Sequence, residues 1–364
     1  MNDVSELKQF AVVHARSLNI KRYREVLARI DNDEDGAPGS WAVVWTAAGD
    51  RLLAAGRPLD ACRHYAMARF PYPDGPARAQ AAERCLSAFD SWRLGGSGIE
   101  RLDVDLPDGG KVGCWVSGLS AAKPLPLLLV MGGVVTVKEQ LAPALVLLRR
   151  LGVAGLVAEM PGVGENTMPY DADSWRLVPA LIDAVADRAD VARTYAYMFS
   201  FSGHLALRCA AQDTRIKSVI TSGAPVRDFF LDEEWRRNVP RLTIDVLAHM
   251  AEAKPEELAE RLRPMALTDE QLDAVRVPVS YLASLRDEII PAGEIRHLRD
   301  HVAGLTVFEN DDVHASPRYI VDSLVWLVLS VLRLRGRRVD PQRVLVSALW
   351  RGLRARHRLA RSPR

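Results

Sequence analysis

The chain has 364 residues, 48% hydrophobic and 26% charged, a balance that excludes a disordered or fibrous polymer and allows one large domain plus a smaller one. Its net charge of +2 is unevenly spread, because residues 333–364 carry eleven arginines and one aspartate, about +10, which leaves about −8 for the rest. A basic end of this kind reads most simply as the solvated face of a last helix, so no nucleic-acid partner is expected.

The first 95 residues contain no convincing strand. Residues 41–55, 58–70 and 76–92 read as helices separated by Gly56 and by the turn cluster 72–76, and the Gly-rich link 95–98 closes this all-helical unit. The pattern then changes. Leu102, Val104 and Leu106 alternate with charges, Asp108-Gly109-Gly110 forms a turn, and Val112, Cys114 and Val116 alternate back as a hairpin. Strands over 125–131, 153–159, 195–199, 216–222, 277–283 and 305–308 follow, interleaved with helices over 138–151, 175–186 and after Ser202, and a closing helix over 318–332. Repeated strand–helix units predict an α/β chain: a mostly parallel sheet with helices on both faces, extending over 96–335. The alternation breaks over 226–276, where Thr268-Asp269-Glu270-Gln271 has the form of a capping box, so a helical insertion is expected there. Residues 336–364 form a basic tail, expected to be helical.

Cys62, Cys85, Cys114 and Cys209 show no metal-type spacing and sit in apolar contexts, which suggests reduced, packed thiols in a cytoplasmic protein and no metal. The N-terminus lacks the order of a signal peptide. The most apolar window, 321–332, holds Asp322 and is too short for stable membrane insertion.

Residues 194–208 carry the chemistry. An aromatic strand stops at Ser200, meets small residues, and continues as an amphipathic helix, the pattern of a strand–nucleophile–helix elbow. The usual G-x-S-x-G is here Met198-Phe199-Ser200-Phe201-Ser202, with both glycines replaced. Ser202 is a second candidate nucleophile, but it would put His204 in the small position two residues on. An acyl-transfer serine needs a base, a residue that orients it, and oxyanion donors. After the strand at 277–283 comes Asp287, followed by an apolar pair and Pro291, with Glu288 as the weaker acid; after 305–308 comes His314 on a polar loop. Ser200, Asp287 and His314 thus appear in nucleophile–acid–base order at strand ends. Gly132-Gly133 leaves an earlier strand and could aim the Gly133 N–H at the same point as that of Phe201. Each has a plainer reading: Ser200 as a helix cap, Asp287 as a loop acid, His314 as a cap.

These motifs resemble the FrsA-like esterase group. Gly132-Gly133 followed by Lys138-Glu139 looks like its G-G-x-x-x-x-K-E signature, residues 159–165 resemble its D-x-P-G-x-G-E/Q loop, and the helical N-terminus, with Cys62-Arg63-His64-Tyr65, resembles its lid domain. The resemblance implies an α/β-hydrolase fold with a helical N-terminal lid, no cofactor, a homodimer, and Ser200, Asp287 and His314 as the triad. The group includes 2,6-dihydroxypseudooxynicotine hydrolase and fungal pigment hydrolases that cut a carbon–carbon bond beside a ketone. The implied substrate is a ketone- or ester-bearing aromatic or polyketide-like small molecule; the alternatives are a general carboxylesterase or thioesterase, and an inactive hydrolase fold used for binding. Carbon–carbon cleavage needs a proton for the departing carbon, for which Asp232 and Glu234 are candidates, and Tyr170 and Trp175 either line an aromatic pocket or merely pack.

Overall fold

The computed structural model describes residues 2–106, 109–334 and 340–361, and its N-terminal part is built from helices. α1 (Val4–Ser17) begins at Asp3, whose side chain accepts from the Glu6 N–H, and buries Leu7, Ala11 and Ala15 four residues apart. α2 (Tyr23–Leu27) follows, then α3 (Trp41–Ala54), α4 (Pro58–Ala68) and α5 (Pro76–Leu94). α4 and α5 each open on a proline, whose fixed φ suits the first helical turn. The sequence pattern did not resolve α1 and α2.

β1 (Glu100–Asp105) and β2 (Lys111–Ser117) form the expected hairpin, with Leu102 opposite Cys114 and Val104 opposite Val112. Asp108 of its turn lies outside the described residues. β3 (Pro126–Met131), β4 (Ala154–Ala158), β5 (Asp190–Met198), β6 (Ile216–Ser222), β7 (Val279–Ser284) and β8 (Leu305–Asn310) complete an eight-stranded sheet in the order β1-β2-β4-β3-β5-β6-β7-β8. Only the β1–β2 and β2–β4 pairings are antiparallel, so six strands run parallel and their carboxyl ends share one edge. This is the α/β-hydrolase fold.

The helix expected over 138–151 is split. α6 (Lys138–Leu141) and α7 (Leu145–Arg150) flank a 3-10 turn at Ala142–Ala144, where Pro143 has no N–H to continue the helix. α8 (Leu177–Asp183) and α9 (Phe201–Ala210) cover the sheet. Between β6 and β7 lie α10 (Asp228–Leu231), α11 (Glu233–Asn238), α12 (Arg241–Met250), α13 (Leu258–Leu262) and α14 (Asp269–Asp273), the last opened by the Thr268/Gln271 capping box. α15 (Gly293–His301), absent from the sequence reading, joins β7 to β8, and α16 (Ile320–Leu334) and α17 (Pro341–Arg361) end the chain. Residues 335–339 and 362–364 of the basic tail lie outside the described residues. No helix among the described residues is long and apolar enough to cross a membrane.

The N-terminal helices dock on both the sheet and the inserted helices. Leu242 of α12 joins Leu7, Trp41, Trp45, Met67 and Phe70 in one apolar cluster, against which Val135 of the loop after β3 also packs. The Leu242 N–H donates to Glu6 (3.1 Å), and the Tyr72 ring stacks on His249 of α12 at 4.1 Å.

Candidate active site

β5 ends at Met198, and two residues later Ser200 stands with φ 55° and ψ −133°, a conformation that L-residues adopt only under constraint. Its N–H donates to Ser222 O of the neighbouring strand (2.7 Å), and its own carbonyl accepts from the Gly203 N–H (2.8 Å). Ser200 occupies the cap position of α9, yet its side chain makes no capping bond. Instead Oγ lies 3.2 Å from His314 Nε2. His314 Nδ1 in turn lies 2.9 Å from Asp287 Oδ2 and 3.0 Å from Oδ1. A carboxylate only accepts, so Nδ1 carries the proton and Nε2 accepts from the Ser200 hydroxyl.

Each partner is held by its loop. Asp287 Oδ1 accepts from the Ile289 and Ile290 N–H groups (3.0 and 2.8 Å). Glu288 accepts from the His314 N–H (2.9 Å), and buried Asp312 accepts from Val313 and Arg318 N–H, fixing the turn through Ala315 and Ser316, both at positive φ. The His314 pKa is raised: burial would lower it, but the charge and hydrogen bond of Asp287 outweigh burial.

The replaced elbow glycines have physical explanations. Ser202 is fully buried, and its hydroxyl donates within reach of two carbonyls, Phe199 O (2.8 Å) and Met131 O (3.1 Å), so it ties the elbow to β3 and does not face His314. The Met198 side chain is fully buried in the main core. Close approach is instead needed at Gly203, where a Cβ would collide with Thr221 Oγ1. Gly223, which the sequence reading did not single out, is the other such position: at φ +57°, a Cβ would stand 2.8 Å from His314 Cε1. Its signal was a glycine directly after a strand in Ser222-Gly223-Ala224.

The loop after β3 folds back on Ser200, since a Cβ on Gly133 would lie 3.2 Å from Ser200 Cβ. Phe201 opens α9, where N–H groups have no intrahelical acceptor, and its ring meets Phe229 edge-on at 4.9 Å. Behind that loop, Lys138 is buried against Glu139 (3.1 Å), Glu159 (3.2 Å) and Glu165 (2.5 Å). Burial opposes the lysine charge, but the carboxylates overcome it and raise its pKa. Both signature motifs, Lys138-Glu139 and residues 159–165, are thus one buried ion cluster.

Among the described residues, none of Asp232, Glu234, Tyr170 and Trp175 hydrogen-bonds to Ser200, Asp287 or His314. Asp232 and Glu234 are exposed, and Asp232 caps α11 by accepting from the Trp235 N–H (2.8 Å). The Trp235 indole donates to Ile289 O, on the loop that holds Asp287, and Glu294 accepts from Arg227 and Phe229 N–H, which anchors the start of the segment. Tyr170 is buried edge-on to Phe201 at 6.5 Å, with its hydroxyl unpartnered among the described residues. Trp175 lies under the Arg208 guanidinium and packs on the main core.

A family model described as esterase FrsA-like matches residues 41–294. The chain belongs to the FrsA-like esterase family. Esterase FrsA of Photobacterium profundum is 26% identical over 241 residues, 58% of this chain and 55% of that protein. Esterase FrsA of Vibrio cholerae serotype O1 (strain M66-2) is 25% identical over 227 residues, 58% of this chain and 54% of that protein. The chain therefore spans about half the length of the curated relatives it matches. Among solved structures, wild-type AbyA5 superposes with a TM-score of 0.92 at 46% identity, covering 97% of this chain and 100% of that one. A 2,6-dihydroxy-pseudo-oxynicotine hydrolase superposes at 0.70 with 19% identity, over 90% and 97% of the two chains, a likeness of fold.

Proposed function

We propose that this FrsA-like chain is a serine hydrolase that works through an acyl-Ser200 intermediate. The observation that carries the reading is the unbroken relay from Ser200 Oγ to His314 Nε2 (3.2 Å) and from His314 Nδ1 to Asp287 (2.9 Å). His314 takes the hydroxyl proton as Ser200 attacks an acyl carbon, and Asp287 stabilises the resulting imidazolium. The oxyanion then faces the N–H groups of Gly133 and Phe201. His314 returns the proton to the leaving group, and water repeats the sequence to release the acid.

The substrate is an acyl compound of the ketone- or ester-bearing, aromatic or polyketide-like kind. His314, which faces Ser200 Oγ, is the acid that the relay itself offers to a departing group. This favours an oxygen or sulfur leaving group, or a carbon one that leaves as a stabilised enolate. A fluorophosphonate probe tests the reading: it should label the native protein and not Ser200→Ala. Absence of labelling on the native protein would leave a hydrolase fold used for binding. Comparing turnover of p-nitrophenyl esters with that of a linear β-diketone separates esterase from carbon–carbon hydrolase.

A further inference from the structure

Arg69 follows α4 and is 2% exposed, yet among the described residues no carboxylate pairs with it. Its Nη2 donates to Val135 O, in the loop whose Gly133 lies against Ser200, and its Nε is buried without any partner. The nearby carboxylates are committed elsewhere: Glu159 and Glu139 to Lys138, and Glu139 also to the Trp115 indole (2.8 Å). A buried guanidinium satisfied by one carbonyl is expensive, and proteins retain one where a negative group completes it. His14 of α1 stands beside it, its ring 5.2 Å from that of Phe70, the residue after Arg69. The His14 pKa falls to about 4, through burial first and then through the charges of Arg69 and His314, so one imidazole feels both the arginine and the catalytic base. α1 also lies over the turn Pro317–Tyr319 that follows His314.

We infer that Arg69, with His14 beside it, is an anion-recognition site on the N-terminal helices, which holds a negatively charged oxygen of the substrate while its acyl carbon sits at Ser200. The substrate class is an acyl compound carrying a carboxylate or the enolate of a 1,3-dicarbonyl. This rests on the serine-hydrolase reading for where the acyl group goes, but not for the anion itself. Nε, the donor still without a partner, offers its N–H to a carboxylate or enolate oxygen on the same edge as the Nη2 held by Val135 O.

The carboxylate arm of the test compares p-nitrophenyl hydrogen succinate with its neutral methyl ester. The native protein should favour the charged ester in kcat/KM, and Arg69→Gln should lower the charged-to-neutral ratio about 10-fold or more, with Arg69→Lys in between. If Arg69 only tethers Val135, both esters lose equally and the ratio stays constant, which overturns the carboxylate site. The enolate arm measures binding of 1,3-cyclohexanedione and of its O-methyl enol ether by calorimetry, with no turnover required. Tighter binding of the anion that is lost in Arg69→Gln assigns the site to enolates. No charge preference in either arm refutes the inference. Absent fluorophosphonate labelling with an intact charge preference in calorimetry refutes instead the hydrolase reading.

Discussion

Replacing Gly223 by alanine attacks the relay from behind. The added Cβ would stand 2.8 Å from His314 Cε1, 3.2 Å from Nδ1 and 3.5 Å from Asp287 Oδ2. Carbon atoms rest about 3.5–4.0 Å apart, so the imidazole must retreat by about 0.7–1.2 Å. A displacement of that size at a reacting group costs on the order of 10²-fold in rate. The φ of +57° adds backbone strain of about 1–2 kcal/mol. Gly152→Ala separates these effects, because Gly152 has φ +75° and no atom within 4 Å of its would-be Cβ. Gly152→Ala should show the thermal destabilisation of the strain alone, and Gly223→Ala at least as much, read by calorimetry. Only Gly223→Ala should lose kcat on a p-nitrophenyl ester, by about 10–10²-fold. Unchanged kcat in Gly223→Ala, or equal losses in both variants, would refute the packing argument.

Ser202→Ala should remain labelled by fluorophosphonate while losing about 1–3 kcal/mol in denaturant unfolding, the cost of leaving its buried carbonyl partners short; loss of labelling with a folded protein would move the nucleophile to Ser202. In the proposed mechanism the neutral imidazole of His314 is the base, and its raised pKa should place the acid limb of kcat/KM above the ordinary 6.5. Asp287→Asn removes the raising charge, so that limb should shift to lower pH while kcat drops by about 10³–10⁴; an unmoved limb counts against the relay. Lys138→Met strands buried Glu159 without its counter-charge and should cost about 3–5 kcal/mol by chemical denaturation. A loss below about 1 kcal/mol would show that Glu159 is neutral or otherwise satisfied.

The relay was legible because three short apolar runs each end in one chemically distinctive residue. Parallel strands β5, β7 and β8 deliver Ser200, Asp287 and His314 to the same edge without any long-range information. Turn chemistry was equally local, as at the Thr268 capping box. Residues whose role depends on what faces them were not legible. Gly223 looks like any strand-end glycine until His314 is placed against it. Asp232 and Glu234 read as pocket acids because their aromatic neighbours suggested a pocket mouth, whereas the sequence could not show that Asp232 is spent on capping α11. Arg69 sits at an unremarkable helix end, and only the meeting of α4 with the loop after β3, 66 residues away, makes its charge conspicuous. The missing elbow glycines were ambiguous for a similar reason: Ser202 is acceptable because two specific carbonyls wait for its hydroxyl.

The contacts that seat the N-terminal helices, Arg69 on Val135, Glu6 on Leu242 and Tyr72 on His249, have a thermodynamic consequence. A ligand gripped by Ser200 on one side and by these helices on the other would bind only when both are together, so its binding free energy adds to their docking. Occupancy should merge the melting of the two parts into one later transition. Release of product would then be timed by how often that clasp opens.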